Sequence, residues 1–213
     1  MSSTSHQPRV LDAGCGRHIQ HRLWPDAYVV GIDVDEDALA LNDEVDEKIV
    51  GDVQTYPLPP AAYDAITCFD VLEHLPRPEQ ALANLAQALR SGGTLHIGIP
   101  NVDSPKAIVT KVTPHWFHIW FYRRIVGDPL AGSPGHGPYR TYLRRSLRPA
   151  ALAKAARSVG LELESVDLLE APFFAAFWRR HRWTWAVIRA VWRVLRLGDP
   201  ALSECVVVMR KPA

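Results

Sequence analysis

Arg9-Val-Leu-Asp-Ala-Gly-Cys-Gly16 and Ala27-Tyr-Val-Val-Gly-Ile-Asp33 are the two stretches from which the fold is read. The first is a short apolar run that ends in a glycine-rich turn. The second is a continuous apolar run that ends in a carboxylate. Apolar runs without polar alternation mark strands buried on both faces, as in a parallel sheet. Glycines at a strand end permit positive φ and let a ligand approach the backbone. A helix is expected to follow that turn. Working outward, Asp35-Glu-Asp-Ala-Leu-Ala-Leu41 starts with acidic residues, as a helix should. Lys48-Ile-Val50 is a short edge strand and Tyr63-Asp-Ala-Ile-Thr-Cys-Phe69 a buried one. Arg77 to Arg90 is predicted helical, with Pro78 near its start, Leu82, Leu85 and Leu89 along one face, and Ser91-Gly-Gly93 as its stop. Thr94 to Ile99 is the next strand. Strands alternating with helices imply an α/β fold with a doubly wound, mostly parallel sheet.

Residues 101–146 break this rhythm. They hold His115-Trp-Phe-His-Ile-Trp-Phe-Tyr-Arg-Arg124, read as a short aromatic helix, and a Gly/Pro-rich loop from Gly127 to Pro138. Alternation resumes with a helix from about Arg148 to Val159, capped by Gly160. A strand from Leu161 to Leu169, a strongly helical pattern from Phe173 to Leu197 and a last strand, Cys205 to Met209, complete the chain. We expect a single domain over 1–213, a substrate-side insertion at 101–146, and an amphipathic helix at 171–200 set before the last strand.

A length of 213 residues suits one α/β core. The three cysteines, Cys15, Cys68 and Cys205, are far apart and odd in number, which speaks against a disulfide framework or a zinc site. The polar start carries no secretory signal, so a cytoplasmic location is the expectation. A net charge of +1 hides an asymmetry: residues 1–99 hold 6 basic and 15 acidic side chains, residues 100–197 hold 16 basic and 6 acidic. The acidic half suits a cationic ligand. The basic half suits an anionic substrate or surface.

Glycine turns of the Gly14-Cys-Gly16 type serve several nucleotides. Asp33 at the end of the second strand is placed to accept from ribose hydroxyls, and Asp52 at the end of the third from an adenine amino group. A dinucleotide dehydrogenase would need a small residue where this chain has Ile19. The ordered set resembles the class I S-adenosylmethionine-dependent methyltransferases, in the group that includes quinone-biosynthesis O-methyltransferases. Val10 to Gly16 resembles their first motif, Val30-Gly-Ile-Asp33 the second, Gly51-Asp52 with Leu58-Pro59 and Tyr63-Asp64 the third, Phe69-Asp-Val-Leu-Glu-His-Leu75 the fourth, and Ser91-Gly-Gly-Thr-Leu95 the approach to the fifth strand.

The resemblance covers about 9–100 and 146–170. It implies a seven-stranded Rossmann-like sheet whose last strand runs antiparallel, and S-adenosylmethionine as cofactor. It also implies that Asp12, Gly14, Cys15 and Gly16 surround the methionine part, that Asp33 with Val34 holds the ribose, that Asp52 and Val53 read the adenine, and that Phe69 lies beside the ligand. This chain departs from the pattern at His18, where the family often has a third glycine. It also has only about eight residues before the first strand, so closure of the site is expected from the insertions or from a second subunit in a homodimer.

Methyl transfer is an in-line displacement in which the enzyme aligns a nucleophile and removes its proton. Candidate bases are His74, His115, His118 and His136, with Tyr122, Tyr139 and Tyr142 as orienting groups. Some relatives use Glu-x-x-Glu-His for a divalent metal. Here that stretch reads Asp70-Val-Leu-Glu73-His74, with a shorter first carboxylate, and metal binding is not the favoured reading.

On a helical template Phe174, Phe177, Trp178, His181, Trp185, Ile188, Trp192 and Leu195 share one broad face, while Arg182, Arg189, Arg193 and Arg196 share another. Arginines interrupt the segment too often for a membrane span. It suits an interfacial helix peripheral to the inner face of a membrane, or a lid over the substrate, or both. A pI near 7.8 and the acidic first half disfavour nucleic acid as partner. The sequence therefore points to methyl transfer to a small or lipophilic acceptor. Preference for oxygen follows from the resemblance alone. Two alternatives stay open: a non-catalytic methyltransferase-like binding subunit and an RNA 2′-O-methyltransferase.

Overall fold

The computed structural model describes residues 7–133, 136–142, 144–170, 179–180 and 182–213. Seven strands form one sheet in the order β3-β2-β1-β4-β5-β7-β6. They are β1 (Arg9–Ala13), β2 (Tyr28–Asp33), β3 (Glu47–Val50), β4 (Tyr63–Phe69), β5 (Leu89–Pro100), β6 (Glu162–Glu170) and β7 (Leu202–Arg210). The first five are parallel. β7 inserts antiparallel between β5 and β6, with Ile97 opposite Val207 and Val166 opposite Val207 on the other side. Chain reversal starts at β1, whose neighbours are β2 and β4. That is the switch point at whose C-terminal edge open α/β sheets bind ligands.

The strand patterns follow from position. Central β1, β2 and β4 bury nearly every side chain, with Leu11, Val30, Ile66 and Cys68 fully enclosed. Edge strand β3 alternates, and edge strand β6 carries Glu162, Glu164, Asp167 and Glu170 toward water. Charges on an exposed edge discourage pairing with another chain.

Helix α1 (Glu36–Ala40) starts where Asp35 accepts from the Ala38 N–H at 2.9 Å, and Glu36 and Asp37 meet the positive end of its dipole. Helix α2 (Pro78–Ala88) has Pro78 in its first turn and packs Ala81, Leu82 and Leu85 on the sheet. It stops at Ala88, two residues before the expected end. Leu89 already has extended backbone and pairs with Tyr63, so β5 begins there and runs through Ser91-Gly-Gly93. Gly92 supplies the positive φ that this long strand needs. Helix α5 (Pro149–Ser158) ends as expected at Gly160, at φ +79.

Two features differ from the sequence reading. No helix joins β1 to β2: residues 14–27 are turns and irregular backbone. The segment Arg17-His-Ile-Gln-His-Arg-Leu-Trp-Pro-Asp26 has no amphipathic period, and Pro25 would break a helix near its end. Ile19 and Trp24 fasten it to a small cluster with Val10, Val29 and Ala65. The insertion, conversely, holds an additional helix, α3 (Pro105–Val112), before the aromatic one. Ser104 caps it by accepting from the Ala107 N–H, and Pro105 opens its first turn. Helix α4 (His115–Phe121) continues into a wider turn, Tyr122–Val126, closed by Gly127 at φ +86.

The last helix, α6 (Arg182–Leu195), turns Trp185, Ile188 and Trp192 half inward, and the Trp192 Nε1–H donates to the Asp103 carbonyl at 2.9 Å. Leu195, placed on that face by the helical template, is 58 % exposed. The expected start of this helix, Phe173 to Trp178, and His181 lie outside the described residues. Among the described residues no helix is long and apolar enough to cross a membrane.

Candidate active site

The glycine turn after β1 is held from three sides. The Gly14 N–H donates to the Ile32 carbonyl at 2.7 Å. The Gly16 N–H donates to Asp33 Oδ2 at 2.8 Å, while Asp33 Oδ1 accepts from Asp35 N–H at 2.9 Å. Fully buried Asn42 donates from Nδ2 to the Gly16 carbonyl at 3.0 Å. Gly14 sits at φ +79, and a Cβ there would stand 2.1 Å from Val71 Cγ2. Gly16 sits at φ +48 and a Cβ there would meet nothing within 4 Å. The first glycine is thus fixed by crowding and the second faces open space.

Asp12 is buried beneath this turn and accepts from the Thr67 hydroxyl at 2.7 Å. Burial pushes its carboxyl up to about 6, helped by the charges of Asp33 and Glu44 and opposed by Thr67. Cys15 is buried and tightly packed against Gly31, and burial pushes its thiol up to about 12, so it is no nucleophile. Val34 is 68 % exposed at the open side of the turn. Asp52 stands two residues beyond β3 rather than at its end, and both its oxygens accept from Gln54. Val53 is buried, and its carbonyl accepts from Asn84 Nδ2. Phe69 lies at the tip of β4 with its ring 4.2 Å from that of His21, in room left by Gly98, where a Cβ would meet Phe69 Cδ1 at 2.1 Å. His18 turns outward to Glu44 at 3.0 Å.

A cavity of about 770 Å³ opens beyond the C-terminal ends of β4 and β5. Its floor is Asp70, Glu73, His74 and Pro100. Its walls come from α3 and α4 through Lys106, Lys111, His115, His118 and Tyr122, and from the end of the insertion through Tyr139, Arg140 and Thr141. The Tyr142 N–H donates to the Glu73 carbonyl at 2.8 Å and straps the insertion to the floor. Tyr139 lines the cavity, where burial raises its phenol pKa and the carboxylates of Asp35 and Asp33 add to the rise, with Arg17 opposing.

Three of the four candidate histidines line this cavity, and His136 is not among its lining residues. His74 Nδ1 is 2.8 Å from the Arg140 carbonyl. A carbonyl only accepts, so Nδ1 carries the proton and the neutral ring keeps Nε2 as a base. The His74 ring meets that of Tyr139 edge-on at 5.8 Å. The Thr113 hydroxyl donates to the Val109 carbonyl and stands 2.9 Å from His118 Nε2, which leaves Nδ1 as the acceptor of His118. Tyr122 lines the cavity as well, whereas Tyr142 lies beside Arg144.

Glu73 is the outlying group. It is 2 % exposed, and its Oε2 has no hydrogen-bond partner among the described residues. Burial pushes its carboxyl up to about 8, with Asp70 adding to the rise. Asp70, Glu73 and His74 do not fit a divalent metal. No three His, Cys, Asp or Glu side chains converge among the described residues, as such a site would require.

Sequence reasoning missed Asn42, Gln54 and the Lys106–Glu204 pair at 2.5 Å, which ties α3 to β7. Asn42 carried a weak signal, a polar residue directly after a helix that acidic residues open. Gln54 joins a local bond to Asp52 with one to the Arg77 N–H, 23 residues on, and the Lys106–Glu204 pair depends wholly on a contact distant in sequence.

Residues 11–97 match the family model described as a methyltransferase domain. A ubiquinone biosynthesis O-methyltransferase of Thiobacillus denitrificans is 27 % identical over 168 residues, 74 % of this chain and 66 % of the relative. The chain thus spans just under two thirds of that relative's length. Among solved structures, a SAM-dependent methyltransferase from Archaeoglobus fulgidus aligns with a TM-score of 0.58 at 17 % identity, covering 97 % of this chain and 87 % of the other. A phosphoethanolamine N-methyltransferase 2 of Haemonchus contortus, in complex with S-adenosyl-L-methionine, aligns with a TM-score of 0.61 at 17 % identity, covering 97 % and 49 %.

Proposed function

We infer that this chain, whose residues 11–97 match a methyltransferase-domain model and whose fold is that of S-adenosylmethionine-dependent methyltransferases, transfers a methyl group from S-adenosylmethionine to a small acceptor held in the 770 Å³ cavity. One observation carries this reading: the loop after β4 joins the two sites, with Val71 packed against Gly14 of the turn and Asp70, Glu73 and His74 lining the cavity. Donor and acceptor sites are therefore contiguous, as an in-line displacement requires. The turn fits the cofactor because Gly16 leaves open space while Asp33, at its rim, keeps a second acceptor position on each oxygen.

When bound, the sulfonium supplies an already activated methyl group. The chain's own residues do the rest. Asp33 holds the ribose hydroxyls, and Phe69 covers the ligand at the tip of β4. His74 Nε2 takes the proton from an acceptor hydroxyl, with the ring fixed by Nδ1–H donation to Arg140. Oxygen is the acceptor atom in this reading, supported by the similarity to O-methyltransferases. Calorimetry with S-adenosylhomocysteine tests it: micromolar binding is expected, and no binding by the folded protein sinks the enzyme reading.

Helix α6 supports a second contact. The Trp192 Nε1–H donates to the Asp103 carbonyl of the insertion, as a lid support would, while Trp183, Val187 and Val194 are 89 %, 64 % and 80 % exposed. An apolar outer face beside an arginine stripe suits the interface of an anionic membrane. The exposed set rather than Trp185 and Trp192 is then the part that inserts. Trp183→Glu with Val187→Glu is expected to abolish flotation with phosphatidylglycerol vesicles without lowering the melting temperature. Undiminished flotation would remove the membrane contact.

A further inference from the structure

Arg189 and Arg193 are four residues apart and so share one face of α6, and Arg196 follows at the left-handed turn that ends the helix. They line a groove of about 370 Å³ with Trp192, Asp199 and Pro200. The groove is separate from the catalytic cavity and shares no lining residue with it. Its wall is fixed: the Trp192 indole is anchored by its N–H to the Asp103 carbonyl. Asp199 Oδ1 accepts from the Ala201 N–H, which holds the one carboxylate of the groove in its own turn. No salt bridge engages any of the three guanidiniums among the described residues.

Arg196 adds an independent observation. It has φ +55, the left-handed conformation that helices usually give to glycine at their C-terminal end. The Arg196 N–H donates to the Arg193 carbonyl and the Leu197 N–H to the Trp192 carbonyl, the two bonds of a closed helix end. Glycine would fill this position without strain. Arginine there gives up backbone ease and places a third cation in the groove. The helix dipole accounts for a cation in the last turn, but not for Arg189 further in, nor for a left-handed arginine.

We propose that this groove is a phosphate-ester site, in which Arg189, Arg193 and Arg196 hold the phosphate of a lipid headgroup or of a free phosphate ester. Guanidinium forks match phosphate oxygens in pairs, and three of them against one held carboxylate leave a cationic pocket. The arginine stripe runs along the border between the inward face of Trp185 and Trp192 and the exposed face of Trp183 and Val187. A headgroup would reach the groove from that border.

The decisive variant is Arg196→Gly in the full chain. A merely structural arginine predicts no change in ligand binding. The site predicts two changes of opposite sign: the melting temperature holds or rises as the left-handed strain is relieved, while phosphate affinity falls about tenfold. Binding is measured with sn-glycerol 1-phosphate in solution and with vesicles of phosphatidylglycerol or phosphatidylcholine. Arg189→Gln with Arg193→Gln should weaken it by about a hundredfold. Arg144→Gln with Arg145→Gln, which removes equal charge elsewhere, should leave it within about threefold. Binding of the soluble ester supports the site with a free phosphate ester as its ligand. Binding of phosphatidylglycerol vesicles alone supports it with lipid as the source. Binding of neither, equal losses in the Arg144/Arg145 variant, or a stronger affinity for oligouridylate than for both probes overturns it.

Discussion

Asp33→Ala lowers the affinity for S-adenosylhomocysteine on the order of a hundredfold, read by calorimetry, while the sheet stays folded. The size follows from what one carboxylate does twice. Its Oδ2 holds the Gly16 N–H at 2.8 Å and its Oδ1 the Asp35 N–H at 2.9 Å. Hydrogen bonds to a charged group contribute about 1.5–3 kcal/mol each, and the bond to Gly16 fixes a residue at φ +48 that otherwise has many conformations. Alanine frees the turn, so the cofactor must order it on binding, and it also removes the acceptor for ribose. A loss of roughly 2–4 kcal/mol corresponds to about 30-fold to 10³-fold in affinity. Stability changes less, because Asp33 is only half-buried and water replaces it at both N–H groups. Asp33→Asn should lose nearly as much, since its amide turns an N–H toward one of the two N–H donors. Affinity within threefold of wild type for both variants would show that the cofactor does not use this carboxylate.

Much of this site was legible because the groups that build it are local in sequence. The turn from Asp12 to Gly16 and the carboxylate at Asp33 follow directly from strand ends, and strand ends are marked by where apolar runs stop. The buried strands β2 and β4 were legible for the same reason, and the helix at Pro149–Ser158 was bounded by its proline and glycine. The connection from β1 to β2 was misread because glycine turns of this type usually open a helix, and that habit outweighed Pro25 and the aperiodic run before it. Helix α3 was passed over although Ser104-Pro105 is a sound start signal. Its eight residues are short, and Ile108, Val109 and Val112 are exposed, so no apolar stripe marks a buried face. For α6 the template gave one broad apolar face and an arginine face, and missed the second apolar arc of Trp183, Val187 and Val194. Which arc turns inward was decided by a bond to Asp103, 89 residues away, and no local pattern encodes that. The same holds for Tyr139, whose place in the cavity wall depends on how the insertion folds back over the sheet.

Glu73→Gln makes the protein more stable than wild type at pH 8 and no more stable at pH 5, in urea titrations across that range. The sign follows from linkage. In the fold, burial keeps the Glu73 carboxyl protonated up to about 8, with Asp70 and Glu204 adding to the rise and Lys106 opposing it. In the unfolded chain it ionises near the ordinary 4.5. Between these values the unfolded state has released a proton that the folded state keeps, so stability falls as pH rises, by about 1.4 kcal/mol per unit. The fall starts near pH 4.5 and is complete above about 8, where it amounts to on the order of 5 kcal/mol. Glutamine is neutral throughout and removes that fall. Its amide must also satisfy N–H groups where Oε2 has no partner, at a cost of about 1–3 kcal/mol. That cost dominates at pH 5 and is outweighed at pH 8, so the two stability curves cross. Parallel curves would mean that Glu73 is ionised in the fold. A crossing would mean that the floor of the cavity carries a carboxylic acid at neutral pH. Such a group can donate a hydrogen bond to an acceptor oxygen beside His74 without competing with the imidazole for its proton, which leaves His74 Nε2 as the base.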